Sequence, residues 1–437
     1  MKRKITPILC GVVAIALLTG CGSGPTGPST SASGGEQTTS TQAQQIELQF
    51  WNPFTGDDGR YMTQIVDAFN TEKAGSIHVT TQTMATDDYY TKLPVVVAAG
   101  TGIPDVVVVD VDRLPYFSQK GLIQPIDDLI ASSGLSKADF APTAWDAGTQ
   151  VDGKRYSIPL DTLVFLMFYN KTMLHDLGYT EADLTNLTSD KFIEMCKKAT
   201  TGDNYGVGVN WPGMSIAWYS MLGQMGGSLV DPANPGKAAF NTPAGAAAAK
   251  WFKDLLDQGL TNKPGSDHIP LFKQGKSLFA MDGIWSSTGM NDVAGLDWGE
   301  MFLPIAGQSG KVWATSHNLA LMTQPNEDES RRQAAMTFIK YVSDNSSTWA
   351  AGGEIPVRLS VLQDPTFTAL PWSFAATQLD WFFFLPAATT AGNFIDAMNA
   401  PLVDYFNGNT KTPEEAMDAA AKSGEATAAQ TLAGLGG

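Results

Sequence analysis

The chain has 437 residues, of which 28 are basic and 44 acidic, so its formal net charge is −16. A surface this acidic repels nucleic acid and anionic lipid headgroups, which argues against a nucleic-acid partner. A hydrophobic fraction of 43% is typical of a globular chain and excludes a largely disordered one.

The N-terminus has the three parts of a secretory signal peptide. Basic residues at positions 2–4 precede an apolar run at 8–18, which is shorter than the ~20 residues that span a bilayer. The run ends in Leu18-Thr19-Gly20-Cys21, which resembles a bacterial lipobox. The resemblance implies removal of residues 1–20, acylation of Cys21 and attachment to the extracytoplasmic face of the membrane. The alternative is an ordinary signal peptide with an incidental cysteine.

Residues 21–45 are mainly Gly, Ser, Thr, Pro, Gln and Ala, a composition that predicts a flexible tether. Cysteine usage excludes an internal disulfide, because Cys10 leaves with the signal and Cys21 carries lipid. Cys196 alone remains, and its spacing from Phe192 and Ala199 predicts core packing. The residues after the tether exceed the ~250–300 that one core supports, so we expect two lobes.

In chain order, residues 46–51 alternate as a strand and residues 61–69 carry one apolar helical stripe. A second strand is predicted at 77–81. A helix follows at 89–99, where Pro94 predicts a kink or a late start. The valine run at 106–109 is typical of a parallel strand that is buried on both faces.

The later chain repeats this alternation. Strands are predicted at 165–169, 205–209, 276–281 and 318–322, and helices at 191–198, 243–257 and 334–342. Thr412, Pro413 and Glu415 form the start signal of a further helix. The alternation predicts an α/β architecture with mainly parallel sheets flanked by helices.

Several segments, in this order, resemble the sugar-binding branch of the bacterial extracellular solute-binding proteins, the group that contains maltose-binding protein. The segments are Phe50-Trp51-Asn52-Pro53-Phe54-Thr55-Gly56, Asp112-Arg113 with Gly121-Leu122-Ile123, Gly153-Lys154-Arg155-Tyr156-Ser157-Ile158-Pro159 with Phe168-Tyr169-Asn170-Lys171, Met281-Asp282-Gly283-Ile284-Trp285-Ser286 and Gly353-Glu354-Ile355-Pro356-Val357-Arg358. No single segment is specific, but together they extend over residues 46–437. Pro94 and the run Trp381-Phe382-Phe383-Phe384 have no counterpart in the family pattern.

The resemblance implies a two-lobed periplasmic-binding-protein-like fold with a ligand cleft between the lobes. We expect an N-terminal lobe of residues 46–162 and 316–344, and a C-terminal lobe of residues 163–315 and 345–437. It also implies delivery of a sugar or oligosaccharide to the permease subunits of an ABC importer. We expect a monomer without enzymatic activity, held at the lipid bilayer by its anchor alone.

Candidate ligand-binding residues follow the ends of predicted strands, where ligands sit in open α/β sheets. Carboxylates accept hydrogen bonds from sugar hydroxyls, and aromatic rings cover the C–H face of a sugar. The predicted set is Trp51, Phe54, Asp110, Asp112, Asp161, Trp211, Trp285 and Arg358.

Packing or structural pairing is the alternative for each member of this set. The family resemblance favours ligand contact at Asp112 and Trp285, and Asp161 at the predicted inter-lobe crossing also favours it. For Trp51, Phe54 and Asp110 the two interpretations are even. Trp211 follows a strand and is a stacking candidate. For Arg358, pairing with a carboxylate is slightly favoured.

The sequence carries no sign of a cofactor or metal site. His78, His175, His268 and His317 lack metal-ligand spacing, and there is neither a Gly-x-Ser-x-Gly elbow nor a phosphate-binding Gly-rich loop. The pair Tyr89-Tyr90 is compatible with an iron binder, although a helix-surface position is the simpler interpretation. Two other functions stay open: a secreted glycoside hydrolase that uses Asp110 and Asp161, and a binder of a polyamine.

Overall fold

The computed structural model describes residues 45–435 except 57, 151, 232 and 327. The predicted signal peptide, Cys21 and all of the predicted tether before Gln45 lie outside the described residues. No helix in the described part of the chain is long and apolar enough to cross a membrane.

The structure contains two main sheets and one hairpin. The strands are β1 Ile46–Asn52, β2 Ile77–Thr83, β3 Val106–Asp110, β4 Ser157–Pro159, β5 Asp161–Asn170, β6 Tyr205–Val209, β7 Val230–Asp231, β8 Asn234–Ala238, β9 Ser277–Gly283, β10 Trp298–Met301, β11 Val312–Thr315, β12 His317–Leu321, β13 Ile355–Pro356 and β14 Phe382–Phe384. The first sheet has the order β2-β1-β3-β12-β4, and the second has the order β14-β11-β5-β9-β6 with β10 and β13 also paired to β5.

Helices cover both sheets. They are α1 Gly59–Glu72, α2 Thr86–Ala99, α3 Leu114–Gln119, α4 Asp127–Ser133, α5 Pro142–Ala147, α6 Lys171–Asp176, α7 Ser189–Ala199, α8 Met214–Gln224, α9 Pro243–Asp257, α10 His268–Lys273, α11 Ser287–Asn291, α12 Glu329–Asp344, α13 Ser346–Ala350, α14 Leu359–Leu362, α15 Pro365–Thr368, α16 Ala391–Ala397, α17 Asn399–Phe406 and α18 Pro413–Leu435. Short 3-10 helices lie at Lys137–Asp139, Glu181–Leu184, Ile284–Ser286 and Pro371–Trp381.

We call the first sheet with α1–α5 and α12 the first lobe, and the second sheet with α6–α11 and α14–α18 the second lobe. On one side of its sheet, the core of the first lobe is formed by apolar side chains such as Phe50, Phe69 and Phe338, and on the other side by a second cluster that includes Trp51 and Val107. The core of the second lobe is larger and includes Phe192, Trp218 and Phe394. The lobe boundaries predicted from the sequence remain predictions.

The chain passes between the lobes over very short connections. Leu160 alone separates β4 of the first sheet from β5 of the second, and Ser316 alone separates β11 of the second sheet from β12 of the first. A third passage runs from α13, which packs with the first-lobe core through Trp349, to β13, which pairs with β5. Because these connections are short, the groups they carry lie close together.

The α/β architecture agrees with the sequence analysis, but the prediction of mainly parallel sheets needs correction. Among the described strands, four pairs are parallel and seven are antiparallel. The reason is that β12 returns to the first sheet antiparallel to β3 and β4, while β5 is long enough to pair antiparallel with β9, β10, β11 and β13.

Helix α2 corrects two expectations. It begins at Thr86, so Pro94 lies inside it and does not mark a late start. Tyr89 and Tyr90 are not on the helix surface: the Tyr89 hydroxyl donates to the Val108 carbonyl (2.7 Å), and the Tyr90 hydroxyl accepts from the Asp110 backbone N–H (2.9 Å). The two rings therefore tie α2 to β3, which accounts for them without an iron site.

Candidate functional site

One cavity contains a predicted ligand-binding residue and has walls from both lobes. It measures about 190 Å³. Its first-lobe wall includes Tyr90 of α2 with Asp112 and Arg113 from the β3–α3 connection, and its second-lobe wall includes Asn393 and Asp396 of α16. We call it the inter-lobe cavity. It unites carboxylates, an amide, a guanidinium and an aromatic ring around a space that suits a small polar ligand.

The acids set the electrostatics of the inter-lobe cavity. Burial and the neighbouring Asp110 raise the pKa of Asp112 to about 6. The Arg113 guanidinium lies over the Tyr90 ring, 4.2 Å from its centroid, and Arg113 Nε is 4.0 Å from Asp110 Oδ2. Of the charged residues that line this cavity, Asp112 and Asp396 are acids and Arg113 is a cation, so its walls are slightly acidic at neutral pH.

A wider cavity of about 470 Å³ lies next to the first. Thr389 lines both cavities, and the wider one is otherwise bounded by Gln119 of α3, by Asp231 and Pro386, and by Leu432 of α18. Close by, the Lys120 ammonium donates to the Gly434 carbonyl, so the two lobes touch beside these cavities. The wider cavity, whose lining is largely apolar, continues the open space along the face between α3 and α18.

Trp285 presents an exposed aromatic face. It lies on the 3-10 helix that follows β9, its residue is 36% exposed, and Trp313 meets its ring edge-on at 6.1 Å between centroids. Gly283 permits this arrangement, since a Cβ there would lie 2.0 Å from the ring. Trp285 lines neither of the two cavities above. The structure thus offers Trp285 as a stacking surface without placing it beside Asp112.

Trp51 and Phe54 lie in the first-lobe core, and each is 5% exposed. The Trp51 ring is covered by Lys92, whose Nζ is 4.7 Å from the ring centroid. The Phe54 ring packs against His317 and Trp349 with centroid separations of 4.9 and 4.6 Å. For both residues, the structure favours the packing interpretation.

Asp161 is fully buried, and both of its carboxylate oxygens are engaged. Oδ1 accepts from the His317 backbone N–H at 2.8 Å, while Oδ2 accepts from His317 Nδ1 at 2.8 Å and from Trp349 Nε1 at 2.7 Å. No oxygen is left to meet a ligand. We therefore correct the prediction of ligand contact: Asp161 joins the first two inter-lobe crossings to α13.

The last two predicted residues, Trp211 and Arg358, are held by structural contacts. Trp211 is 2% exposed, donates through Nε1 to the Asn262 carbonyl (2.7 Å) and packs edge-on against Phe406, so it belongs to the core. Arg358 donates through Nη2 to Asp344 Oδ1 (2.8 Å) and lies over the Phe140 ring, so it pairs with a carboxylate as the sequence slightly favoured. Neither side chain reaches a cavity between the lobes.

Asp110 lies between the His317 side chain and the Arg113 wall of the inter-lobe cavity. Its carboxylate is 3.8 Å from His317 Nε2 on one side and 4.0 Å from Arg113 Nε on the other. Of the eight predicted residues, Asp112 lines the inter-lobe cavity, and Asp110 lies close enough for its charge to act on Asp112. Sequence reasoning missed Asn393 and Asp396, because two polar residues on a short helix carry no signal that distinguishes a cavity wall from an ordinary exposed face.

A separate cavity of about 290 Å³ lies entirely within the second lobe. Its walls include Tyr169, Glu300, Phe302 and Trp381, and none of the predicted residues lines it. Burial raises the pKa of Glu300 to about 8. Trp381 is the first residue of the aromatic run at 381–384, and it contacts Phe302 here. Phe383 of the same run stacks on Tyr219, with 4.5 Å between ring centroids. The aromatic run is thus distributed over second-lobe packing.

No group of three or more His, Cys, Asp or Glu side chains in the described part of the chain is arranged to hold a metal ion. Cys196 is fully buried, as its position on α7 predicted, and burial raises the pKa of its thiol well above the ordinary value.

Comparison with known proteins identifies a matching family and similar chains. Residues 64–375 match the family model described as bacterial extracellular solute-binding protein. A putative binding protein of Brucella abortus is 26% identical over 298 residues, which cover 66% of this chain and 70% of that protein. A maltotriose-binding protein of Pyrococcus abyssi is 26% identical over 286 residues, which cover 64% of this chain and 60% of that protein.

Solved structures share the fold. An ABC substrate-binding protein from Listeria monocytogenes in complex with cycloalternan superposes with a TM-score of 0.76 at 20% identity, over 89% of this chain and 100% of that chain. The GacH receptor of Streptomyces glaucescens, solved unliganded and with acarbose, gives a TM-score of 0.76 at 20% identity, over 89% and 98% of the two chains. The expected two-lobed α/β fold is confirmed.

Proposed function

The chain belongs to the bacterial extracellular solute-binding protein family, and on this premise we propose that it captures a neutral sugar or oligosaccharide and delivers it to the permease of an ABC importer. Its family is one of binding proteins rather than enzymes. The observation that carries the proposal is the inter-lobe cavity, whose walls place Asp112 opposite Asn393 and Asp396. Relatives named for maltotriose and maltodextrin binding support the choice of ligand.

The charge of the cavity favours a neutral ligand over an anionic one. Carboxylates accept hydroxyl hydrogen bonds, and bonds to a charged acceptor are the stronger kind. A phosphorylated sugar would meet the two acids Asp112 and Asp396 and the cation Arg113, so it would be disfavoured. The wider cavity beside Thr389 gives room for more than one sugar ring. Trp285 lines neither cavity, so its exposed ring is assigned to contact with an oligosaccharide long enough to reach beyond them.

Attachment and delivery form the second part of the proposal. Cys21 carries the lipid, the tether up to residue 45 holds the two lobes off the membrane, and the protein acts as a monomer without enzymatic activity. Replacement of Cys21 with Ser releases the protein from membranes into the soluble fraction. Membrane association that persists in the Cys21→Ser variant would contradict the anchor.

Ligand closes the two lobes about the crossing at Leu160 and Ser316. Because the cavity walls come from both lobes, the ligand contacts both walls only when they approach each other, and it must therefore favour the closed form. Small-angle scattering with and without saturating maltotriose measures this directly. An unchanged radius of gyration in a sample with calorimetrically confirmed binding would contradict closure.

The test of the function is a thermal-shift and calorimetric screen of the purified chain. Maltose, maltotriose and other neutral oligosaccharides form one arm, and sn-glycerol 3-phosphate and spermidine form the others. A ligand at 100 times its Kd adds about 2.7 kcal/mol of stability. We expect a shift with a neutral sugar that is insensitive to salt. A shift with spermidine alone, lost at high ionic strength, would instead establish a cation binder.

The screen also separates binding from hydrolysis. A glycoside hydrolase needs two carboxylates with access to the sugar. Asp161 is buried, and His317 and Trp349 engage it, so it is unsuited to partner Asp110 in this chemistry. The bound sugar should be recovered unchanged after prolonged incubation. Release of new reducing ends would contradict the binding role.

A further inference from the structure

Three passages of the chain between the lobes meet at one buried carboxylate, Glu354. It lies between α13 and β13 on the third passage, and it is 0% exposed. The first passage contributes Asp161 and the second contributes His317. We call Asp161, His317, Trp349 and Glu354 the hinge cluster. Any rotation of one lobe against the other must move these groups relative to each other.

The charges of Asp161 and His317 already compensate each other. Burial lowers the pKa of His317, but the attraction of Asp161 and the hydrogen bond to it, with a smaller contribution from Asp110, outweigh burial and raise that pKa to about 10. His317 is therefore an imidazolium at neutral pH, and its Nδ1–H donates to Asp161 Oδ2 at 2.8 Å. The Trp349 indole N–H completes the coordination of this oxygen.

Glu354 has no such compensation. Both of its carboxylate oxygens are buried, and neither has a hydrogen-bond partner among the described residues. The groups around it are Asp58 before α1, Asp161 on β5 and His317 on β12, with the Tyr61 ring of α1 and the Ile284 carbonyl oxygen against the adjoining Gly352 and Gly353. Burial, then Asp161 and Asp58, raise the pKa of Glu354 well above its ordinary value, against the attraction of His317.

We propose that Glu354 is a positioning residue that couples lobe closure to the uptake of one proton. In the arrangement described here, Glu354 has no solvent access and stays protonated. Opening the hinge separates the three passages, admits water to Glu354 and lets it ionise. Closure on a ligand returns the proton, so the ligand binds the protonated hinge better. This inference rests on the proposed function, because it concerns closure of the same site.

The sign of the pH dependence follows from the direction of the pKa change. The closed form holds the Glu354 proton more tightly than the open form does. Sugar affinity is therefore highest below the pKa that Glu354 has in the open form. It declines as the pH rises toward the pKa of the closed form, by up to about tenfold in Kd per pH unit. Asp112 also titrates at the cavity, but its pKa of about 6 leaves it ionised at pH 7.5 and above.

The experiment is calorimetry with maltotriose at pH 7.5 to 9 in two buffers of different ionisation enthalpy. For the wild-type chain, we expect the binding heat to differ between buffers by an amount that corresponds to proton uptake, and Kd to rise with pH. Glu354→Gln, which imitates the protonated acid, should bind with no buffer dependence and a flat Kd. The exposed Glu47→Gln is the control and should behave as wild type.

Equal binding heats in both buffers for the wild-type chain would overturn the proposal. A second measurement needs no ligand: thermal unfolding of wild type and Glu354→Gln from pH 5 to 9. We expect the variant to gain stability over wild type as the pH rises, since it cannot ionise in the buried position. A constant difference with intact maltotriose binding overturns the Glu354 proposal alone. A rising difference without any sugar binding supports the buried proton and overturns the proposed function.

Discussion

The hinge cluster and the inter-lobe cavity use the same residue type in opposite ways. In the hinge cluster, the Asp161 carboxylate is fully buried and accepts three hydrogen bonds from His317 and Trp349. In the cavity, the Asp112 carboxylate lies in a wall that retains open space, and its neighbours Asp110 and Asp396 repel its charge. One aspartate is saturated with partners, and the other faces two like charges that the neighbouring Arg113 offsets in part.

This difference separates stability from binding. A saturated buried acid contributes to the folded state, because removal of it leaves an uncompensated imidazolium in the interior. An acid held beside like charges costs stability and gains partners when a ligand with hydroxyl groups arrives. The two regions are joined by Asp110, which lies 3.8 Å from the His317 ring and next to Asp112 in the chain. Substitutions at the two aspartates should therefore have opposite signatures.

The largest effect is expected at the saturated acid. Asp161→Ala leaves the buried His317 imidazolium and the Trp349 indole without their acceptor, so the free energy of unfolding should fall by about 3–5 kcal/mol. Urea denaturation measures it. The matched variant Asp112→Ala should lose less than about 1 kcal/mol. Equal losses in the two variants would remove the distinction between the regions.

The reverse signature is expected for ligand affinity. Asp112→Asn keeps the size of the side chain but removes the charged acceptor, so sugar affinity should fall by about 2 kcal/mol, or roughly thirtyfold. Calorimetry with the sugar that the screen identifies gives the value. Asp176→Asn, on the exposed face of α6, should bind as wild type does. An unchanged Kd in Asp112→Asn would place the ligand outside the inter-lobe cavity.

Trp285, the exposed aromatic residue of the second lobe, gives a further test of the difference between binding residues and structural ones. Trp285→Ala should weaken the binding of a longer oligosaccharide by at least about 1.5 kcal/mol, since stacking and apolar contact are lost together. Because Trp285 is 36% exposed, the melting temperature of the unliganded protein should change little. Trp381→Ala, at the separate second-lobe cavity, is the control and should leave affinity unchanged. A large loss of apo stability with unaltered affinity would assign Trp285 to the core.

Local patterns in the sequence predicted much of the fold. The alternation at β1, the apolar stripe of α1 and the valine run of β3 depend on neighbours a few residues away, and all three elements are present. The start of α18 also follows the pattern, since the Thr412 hydroxyl accepts from the Glu415 N–H and the Glu415 carboxylate accepts from the Thr412 N–H. Each of these patterns involves residues that are only a few positions apart, so the sequence alone reveals it.

The site was predicted less well, because burial there depends on distant partners. Asp161 is 156 residues from His317 and 188 from Trp349, and no local pattern indicates that they meet. Trp211 looks like a surface residue after a strand until Phe406 covers it. The short strands β13 and β14 carry too few residues for alternation to register. Asp112 was predicted through the family resemblance, whereas no sequence pattern indicated that Asp396 lies in the opposite wall of the cavity.

The smallest expected effect is the pH dependence of stability at Asp112. Burial and Asp110 raise the pKa of Asp112 from 3.8 to about 6, so the folded protein binds this proton more tightly than the unfolded chain does. As the pH rises from about 4 to 6, the free energy of unfolding of the wild type should therefore fall relative to that of Asp112→Asn. Above pH 6 the difference between the two proteins should stay constant. We expect a gain of about 1 kcal/mol for the variant, a value reduced for the partial solvent exposure of the side chain.

Chemical denaturation of both proteins between pH 4 and 8 measures the gap, and the contributions of Glu354 and His317 cancel in the difference. A gap that does not change with pH would mean that Asp112 ionises as an ordinary exposed acid, and the contrast with Asp161 would then rest on hydrogen bonding alone.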